Sequence, residues 1–229
     1  MIAVMGATTL FLFFGRSQVT TAFKPAVTVG GLVTLIAFYH YWRIFDSWES
    51  AYKVVNGVVT ATGIPFNDAY RYVDWLLTVP LLMTELILVM KLSHSETAKK
   101  ASQLAGLAAL MIIPGYPGEI SSDPGTRWMW WGLSMIPFLV IVYQLVAGLA
   151  SSVAAQPPEA RGLVNSARYI TLITWSFYPI VFVLPMLGIS GPEATTAVQV
   201  GYTIADILAK AGFGLYIYAI AVAKSEAAA

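Results

Sequence analysis

Apolar residues dominate long stretches of this chain, and short polar or glycine- and proline-bearing segments interrupt them at intervals. A helix that crosses a hydrocarbon core of ~30 Å needs about 20 mostly apolar residues. Seven stretches meet that requirement, at roughly 1–17, 25–46, 68–92, 100–118, 126–150, 164–188 and 194–224. The first sits at the short limit, which points to an unusually short helix or a truncated native N-terminus. It has no basic segment ahead of its apolar run and no obvious small-residue cleavage site, so a retained span is expected.

The interruptions read as turns. Ser122-Asp123-Pro124-Gly125 and Gly191-Pro192 are turn formers, and Gln156-Pro157-Pro158 opens a polar connection. The longest link, about 47–67, alternates through Tyr52-Lys53-Val54-Val55 and Val58-Val59-Thr60, with Asn56-Gly57 between the two runs. Asn-Gly in such a setting is a strong hairpin signal, so a small β-hairpin is expected outside the bilayer. No internal repeat or low-complexity segment is present, and the alanine-rich tail from Ala227 to Ala229 is expected to fray.

Lysine and arginine near span ends orient such a chain. With the N-terminus outside, the inner side holds Arg16, Lys24, Lys91, Lys99, Lys100, Arg161, Arg168 and Lys224, and the outer side only Arg43, Lys53 and Arg127. The asymmetry favours an outer N-terminus and a cytoplasmic C-terminus. The expected fold is therefore an all-α membrane protein of seven transmembrane helices, one domain over 1–229, with a short extracellular β-hairpin between helices two and three.

Composition agrees. Of 229 residues 58% are hydrophobic and 11% charged, with a mean hydropathy of +0.71, whereas soluble domains carry about 25% charged residues. The net charge is +1 and no basic block occurs, which gives no support for nucleic-acid binding. The lack of cysteine excludes disulfides, iron–sulfur clusters and thiolate zinc sites. His40 and His94 are too few and too far apart to suggest a metal site.

Six ionisable groups remain at membrane depth: His40, Arg71, Asp74, Glu85, Asp206 and Lys210. Such residues are costly in hydrocarbon and point to function. The plainer explanation is that they pair only to hold helices together, but their spacing argues otherwise. Asp206 and Lys210 are four apart and share a face of the last helix, and Arg71, Asp74 and Thr78 stack along the third. Asp74 and Glu85 point the same way, separated by ~16 Å along the axis, with Asp74 toward the outside. A central lysine with carboxylates on either side is the layout of a directional proton path. A desolvated lysine also suits a covalent aldehyde adduct, whose charge Asp74 and Asp206 could balance. Trp75, Leu82, Trp175, Tyr178, Pro179 and Phe182 fit a slot for a long polyene, although such a stripe is more often plain core.

Three motifs then carry a resemblance. Arg71-Tyr72-Val73-Asp74-Trp75-Leu76-Leu77-Thr78-Val79-Pro80-Leu81-Leu82, Trp175-Ser176-Phe177-Tyr178-Pro179 and Asp206-Ile207-Leu208-Ala209-Lys210 strongly resemble the microbial rhodopsins over nearly the whole chain. Gly115-Tyr116-Pro117-Gly118-Glu119 and Tyr39-His40-Tyr41-Trp42-Arg43 look like the xanthorhodopsin branch of bacterial proton pumps. The resemblance implies all-trans retinal bound to Lys210 as a Schiff base. It makes Asp74 the primary proton acceptor with Thr78 beside it, Asp206 the second counterion, Glu85 the cytoplasmic donor and Arg71 the group that steers charge outward. His40 would hydrogen-bond Asp74. Tyr41, Tyr72, Trp75, Val79, Leu82, Met111, Gly115, Trp131, Ser134, Trp175, Tyr178, Pro179 and Phe182 would pack around the chromophore. Asp, Thr and Glu at Asp74, Thr78 and Glu85 accompany outward proton pumping, unlike the patterns of chloride or sodium pumps. Leu82 implies green absorption, and pentamers or trimers are the family's assemblies.

Two positions depart from the pattern. Only Glu193 lies in the link before the last helix, where bacteriorhodopsin has a pair of glutamates for fast proton release. Antenna-binding members have Gly where this chain has Trp131, so no carotenoid antenna is expected. A sensory rhodopsin coupled to a transducer is the main alternative, and Glu85 counts against it. A seven-helix transporter or receptor without retinal is the third reading.

Overall fold

The computed structural model describes residues 1–227. Seven helical rods run through it: α1 Ile2–Gly15, α2 Lys24–Ala51, α3 Ala69–Met90, α4 His94–Glu119, α5 Pro124–Ala154, α6 Pro158–Leu187 and α7 Pro192–Glu226. Four of them, α3, α5, α6 and α7, are long and apolar enough to cross a membrane by length and composition. The fold expected from the hydropathy is present. The fraying expected of the tail concerns Ala228 and Ala229, which lie outside the described residues, and Ala227, where α7 ends in a turn.

Capping explains why several rods outrun their apolar runs. Proline stands in the first turn of α2, α5, α6 and α7, where its missing N–H costs nothing and its fixed φ suits the helix. The Ser93 hydroxyl accepts from the Glu96 N–H to start α4 six residues before the apolar run. Asp123 accepts from the Thr126 N–H at 2.7 Å, and this hydrogen bond holds the exposed Asp123 carboxyl below its usual range. Thus α6 begins at Pro158 rather than near 164, because hydropathy marks the part in hydrocarbon whereas capping marks the end of the helix.

Between α2 and α3, β1 (Tyr52–Val55) and β2 (Val58–Ala61) pair antiparallel, with Val55 opposite Val58. Asn56 and Gly57 both take positive φ, 51° and 81°. Two left-handed residues in succession make the tight turn whose twist matches a hairpin, and Asn-Gly tolerates it best.

Successive helices from α1 to α5 pack side by side, α6 packs on α7, and α7 closes the ring against α1, α2 and α3. Apolar residues such as Phe14, Ile136, Ile173 and Leu208 remain exposed on the rim, as expected of helices whose outer face meets lipid. Two rods are locally wound as π-turns, α5 over Gln144–Gly148 and α7 over Ile207–Gly212. The second contains Lys210. Such widened turns recur at functional sites because they re-aim one side chain within a helix.

Candidate functional site

Lys210 is 1% exposed, and Asp74 and Asp206 are fully enclosed. Lys210 Nζ donates to Asp206 Oδ2 at 3.0 Å and also to Asp74 Oδ2. One amine from α7 is thereby held between a carboxylate of its own helix and one of α3.

The two carboxylates differ in what else they receive. Asp206 Oδ2 accepts from the Tyr41 hydroxyl at 2.6 Å, Oδ1 accepts from the Tyr178 hydroxyl, and the Trp75 indole N–H donates at 3.3 Å. With Lys210, donors from α2, α3, α6 and α7 converge on it. Asp74 receives only Lys210 among the described residues, and its Oδ1 has no partner. Asp206 is held by four donors, while Asp74 keeps an acceptor position open beside the lysine.

Arg71, 2% exposed, does not reach Asp206 directly. Its Nη1 donates to the Tyr41 hydroxyl at 2.8 Å, and its Nε and Nη2 donate to Gln199 Oε1 at 3.1 and 2.5 Å. A second cavity, between α1, α2 and α7, is lined by Arg71, Tyr41, Gln199 and Thr203. Glu85 lies buried on α3 with neither oxygen hydrogen-bonded.

Two expectations need correction. His40 Nδ1 stands 4.0 Å from Asp74 Oδ1 and donates instead to the Ile36 carbonyl at 2.9 Å, so the expected hydrogen bond to Asp74 is not made. The ring satisfies its own helix, one turn back. Thr78 donates to the Asp74 backbone carbonyl at 2.8 Å. Tyr41 stands behind Asp206, bridging it to Arg71, and is absent from the cavity wall where it was expected.

The cavity itself, about 750 Å³ with its open mouth, extends from Lys210 and Asp206 on α7 to Trp131, Ser134 and Phe138 on α5. Tyr72, Trp75, Val79, Leu82, Met111, Gly115, Trp175, Tyr178, Pro179 and Phe182 complete the wall expected from the sequence. Gly115 keeps this part of the wall close to Tyr72, since a β-carbon there would stand 3.0 Å from the Tyr72 ring. A long apolar molecule with an aldehyde end fits this donor set: the walls are apolar, the amine lies in the wall, and a free carboxylate oxygen adjoins it.

Sequence reasoning missed Tyr202, whose ring stacks on Tyr178 at 5.8 Å and meets Trp75 edge-on at 5.3 Å. Its spacing of four from Asp206 was the available signal. Ile112, Met135, Phe138 and Ala209 in the wall were missed too, as was Gln199, an uncharged residue with no sequence signal. Arg127, Arg168 and Lys224, counted as charges at span ends, are buried as well. Arg127 pairs with Glu119 at 3.4 Å, and Glu119 accepts from the Tyr72 hydroxyl at 3.1 Å.

Comparison with known proteins places this geometry. A green-light absorbing proteorhodopsin of Gamma-proteobacterium EBAC31A08 is 31% identical over 225 residues, which span 98% of this chain and 84% of the relative. Archaerhodopsin-1 of Halorubrum ezzemoulense is 32% identical over 219 residues, covering 82% of this chain and 80% of the relative. The crystal structure of xanthorhodopsin, described as a light-driven ion pump with dual chromophore, superposes with a TM-score of 0.93 at 49% identity, over 99% of this chain and 91% of that one. Thermophilic rhodopsin also gives 0.93, at 42% identity and the same coverage. Residues 1–224 match the family described as bacteriorhodopsin-like protein. With the buried lysine, its paired aspartates and the apolar cavity all carried on seven helices, the chain belongs to the bacteriorhodopsin-like family, the microbial rhodopsins.

Proposed function

We propose that this protein is a light-driven outward proton pump that carries all-trans retinal on Lys210, with Asp74 as proton acceptor and Glu85 as proton donor. The named relatives support light-driven ion transport at the level of the family. The observation that carries the residue assignment is the asymmetry between the two aspartates: Asp206 is held by four donors, whereas Asp74 has one oxygen free beside Lys210. Retinal, condensed with the Lys210 amine as a protonated Schiff base, supplies light absorption and an isomerisation that changes the surroundings of that nitrogen.

The chain's own groups give the direction. The proton on the Lys210 nitrogen moves to Asp74, whose open oxygen can receive it. Asp206 keeps its charge, because four donors stabilise the anion, and so holds the site electrically balanced. Arg71, tethered to Tyr41 and Gln199, faces the cavity between α1, α2 and α7 and gives charge leaving Asp74 a route outward. Glu85 refills the nitrogen from the other side. An ionised carboxylate without partners would be stranded there at a cost of several kcal/mol, so Glu85 starts the cycle with its proton on.

The residues 1–229 act as one retinal-binding domain in a prokaryotic cell membrane, N-terminus outside and C-terminus cytoplasmic, as a homo-oligomer (a pentamer or trimer) without a transducer. Trp131 fills the α5 side of the cavity, and no carotenoid antenna is used. Cells expressing the chain with all-trans retinal should acidify their medium under green light, and Glu85→Gln should slow recovery of the pigment and make it pH-dependent and rescuable by azide. Colour without acidification, with recovery indifferent to Glu85→Gln, would overturn the pump reading.

A further inference from the structure

One buried amine has no part in the proton path described above. Lys224, near the end of α7, is 8% exposed. Its Nζ donates to the carbonyls of Val89 and Met90 at 2.9 and 3.0 Å and to Gln156 Oε1 at 2.7 Å. The Gln156 amide donates in turn to the same Met90 carbonyl at 3.2 Å and to the Ser152 carbonyl at 2.9 Å. Gln156 is 4% exposed and lies between α5 and α6. The end of α3, the α5–α6 link and the end of α7 are therefore tied at one point.

The chemistry explains why a lysine stands there. The last carbonyls of a helix have no partner within it and carry the negative end of its dipole. At the end of α3, Lys91 turns left-handed with φ 54°, and the carbonyls of Val89 and Met90 are served by an ammonium from another helix. An ammonium taken from water requires such oxygens around it, so three acceptors and the cation hold one another. The Phe23 ring closes over the group, 5.1 Å from Lys224 Nζ and 5.6 Å from Lys91 Nζ. Val89 follows Glu85 by one helical turn, so Lys224 grips the segment next to the buried carboxyl.

We propose that Lys224 and Gln156 form a clasp that closes this end of the bundle over Glu85 and sets the rate at which a proton from the adjoining water reaches it. Both are positioning residues: neither touches Lys210 nor lines the cavity beside it. The inference rests on the reading of Glu85 as donor. While the clasp is closed, α6 and α7 cannot part from α3 without stranding a buried ammonium and a buried amide. Opening it admits water to the neighbourhood of Glu85.

The test uses the full chain reconstituted with all-trans retinal. Lys224→Met keeps the stem and removes the donor, and Gln156→Leu removes the amide that joins Lys224 to the Met90 and Ser152 carbonyls. Light-induced proton uptake is followed with a pH dye, and backbone amide exchange over residues 86–92 is followed in the dark. Lys224→Met should exchange faster and take up protons about tenfold faster, the change expected when one charge-assisted bond no longer has to break. Gln156→Leu should speed uptake as well, and both should keep the wild-type absorption maximum and acid-induced colour change, which a general loosening of the bundle would move. Unchanged amide exchange in Lys224→Met overturns the clasp whether or not the protein pumps. Unchanged uptake in both variants, with a pumping wild type, overturns it as well. A wild type that takes up no proton in light overturns the pump reading and the rate-setting role with it. Should Lys224→Met form no pigment, Gln156→Leu decides, and uptake at the wild-type rate in that variant overturns the clasp.

Discussion

A β-carbon added at Gly30 on α2 would stand 2.7 Å from Glu85 Oε2 on α3, and 3.4 Å from Leu12 Cδ1 on α1. The bare backbone at Gly30 is what gives the Glu85 carboxyl room between three helices. The crowded atom is the free end of a flexible side chain, so Gly30→Ala should turn Glu85 into another rotamer and leave the helices in place. Pigment colour should be unchanged, while pigment recovery slows about tenfold, the effect of a rotamer penalty near 1.4 kcal/mol on the donor. A flash-induced photocycle identical to wild type would show that the placement of Glu85 against Gly30 does not govern the transfer.

Lys210→Ala should fold and form no covalent pigment, because Lys210 carries the one amine among the residues of the cavity wall, and an imine needs an amine. Acid denaturation followed by spectroscopy checks this. A visible band that survives acid in the variant would remove the attachment assignment.

The unequal surroundings of the two aspartates give opposite outcomes on neutralisation. Asp74→Asn should yield a stable pigment, red-shifted at neutral pH and unable to pump, and acid should shift the wild type the same way as Asp74 takes a proton. Asp206→Asn should be costly to the fold, by ~3 kcal/mol, because it leaves donors from four helices without their buried anion. Thermal bleaching and absorption spectra of both variants decide it. Similar stability and similar colour in the two would mean that the hydrogen-bond asymmetry has no energetic weight.

Trp131 is anchored, its indole N–H donating to the Pro179 carbonyl at 3.0 Å and its ring edge-on to Trp128 at 5.6 Å. The neighbouring Gly132 does not line the cavity, so that glycine does not replace the missing opening. Dense packing leaves no room for an indole and a carotenoid ring in one volume. Excitation spectra after incubation with hydroxylated carotenoids should therefore lack carotenoid bands, and Trp131→Gly should make room for them. Energy transfer in the unaltered protein would show that the indole moves aside or that the window lies elsewhere.

Hydropathy located the seven rods, though not their ends, because the solvent that sets it acts on every residue in turn. Helical periodicity put Lys210 with Asp206 and Asp74 with Glu85, and Asn56-Gly57 specified the hairpin turn through its own backbone preferences. All of these are short-range properties. Tertiary structure decided what depends on how one helix is rotated and shifted against another. Asp74 and Asp206 look alike in the sequence, yet donors from four helices reach only Asp206. His40 faces Asp74 but spends its Nδ1 hydrogen on Ile36, and Arg71 rests on Gln199, a neutral residue 128 positions away. Lys224, counted by its sequence position as a charge at the membrane edge, turns inward to the end of α3. No local rule anticipates these pairings, because a buried polar group takes whichever partner the packing of distant segments brings within about 3 Å.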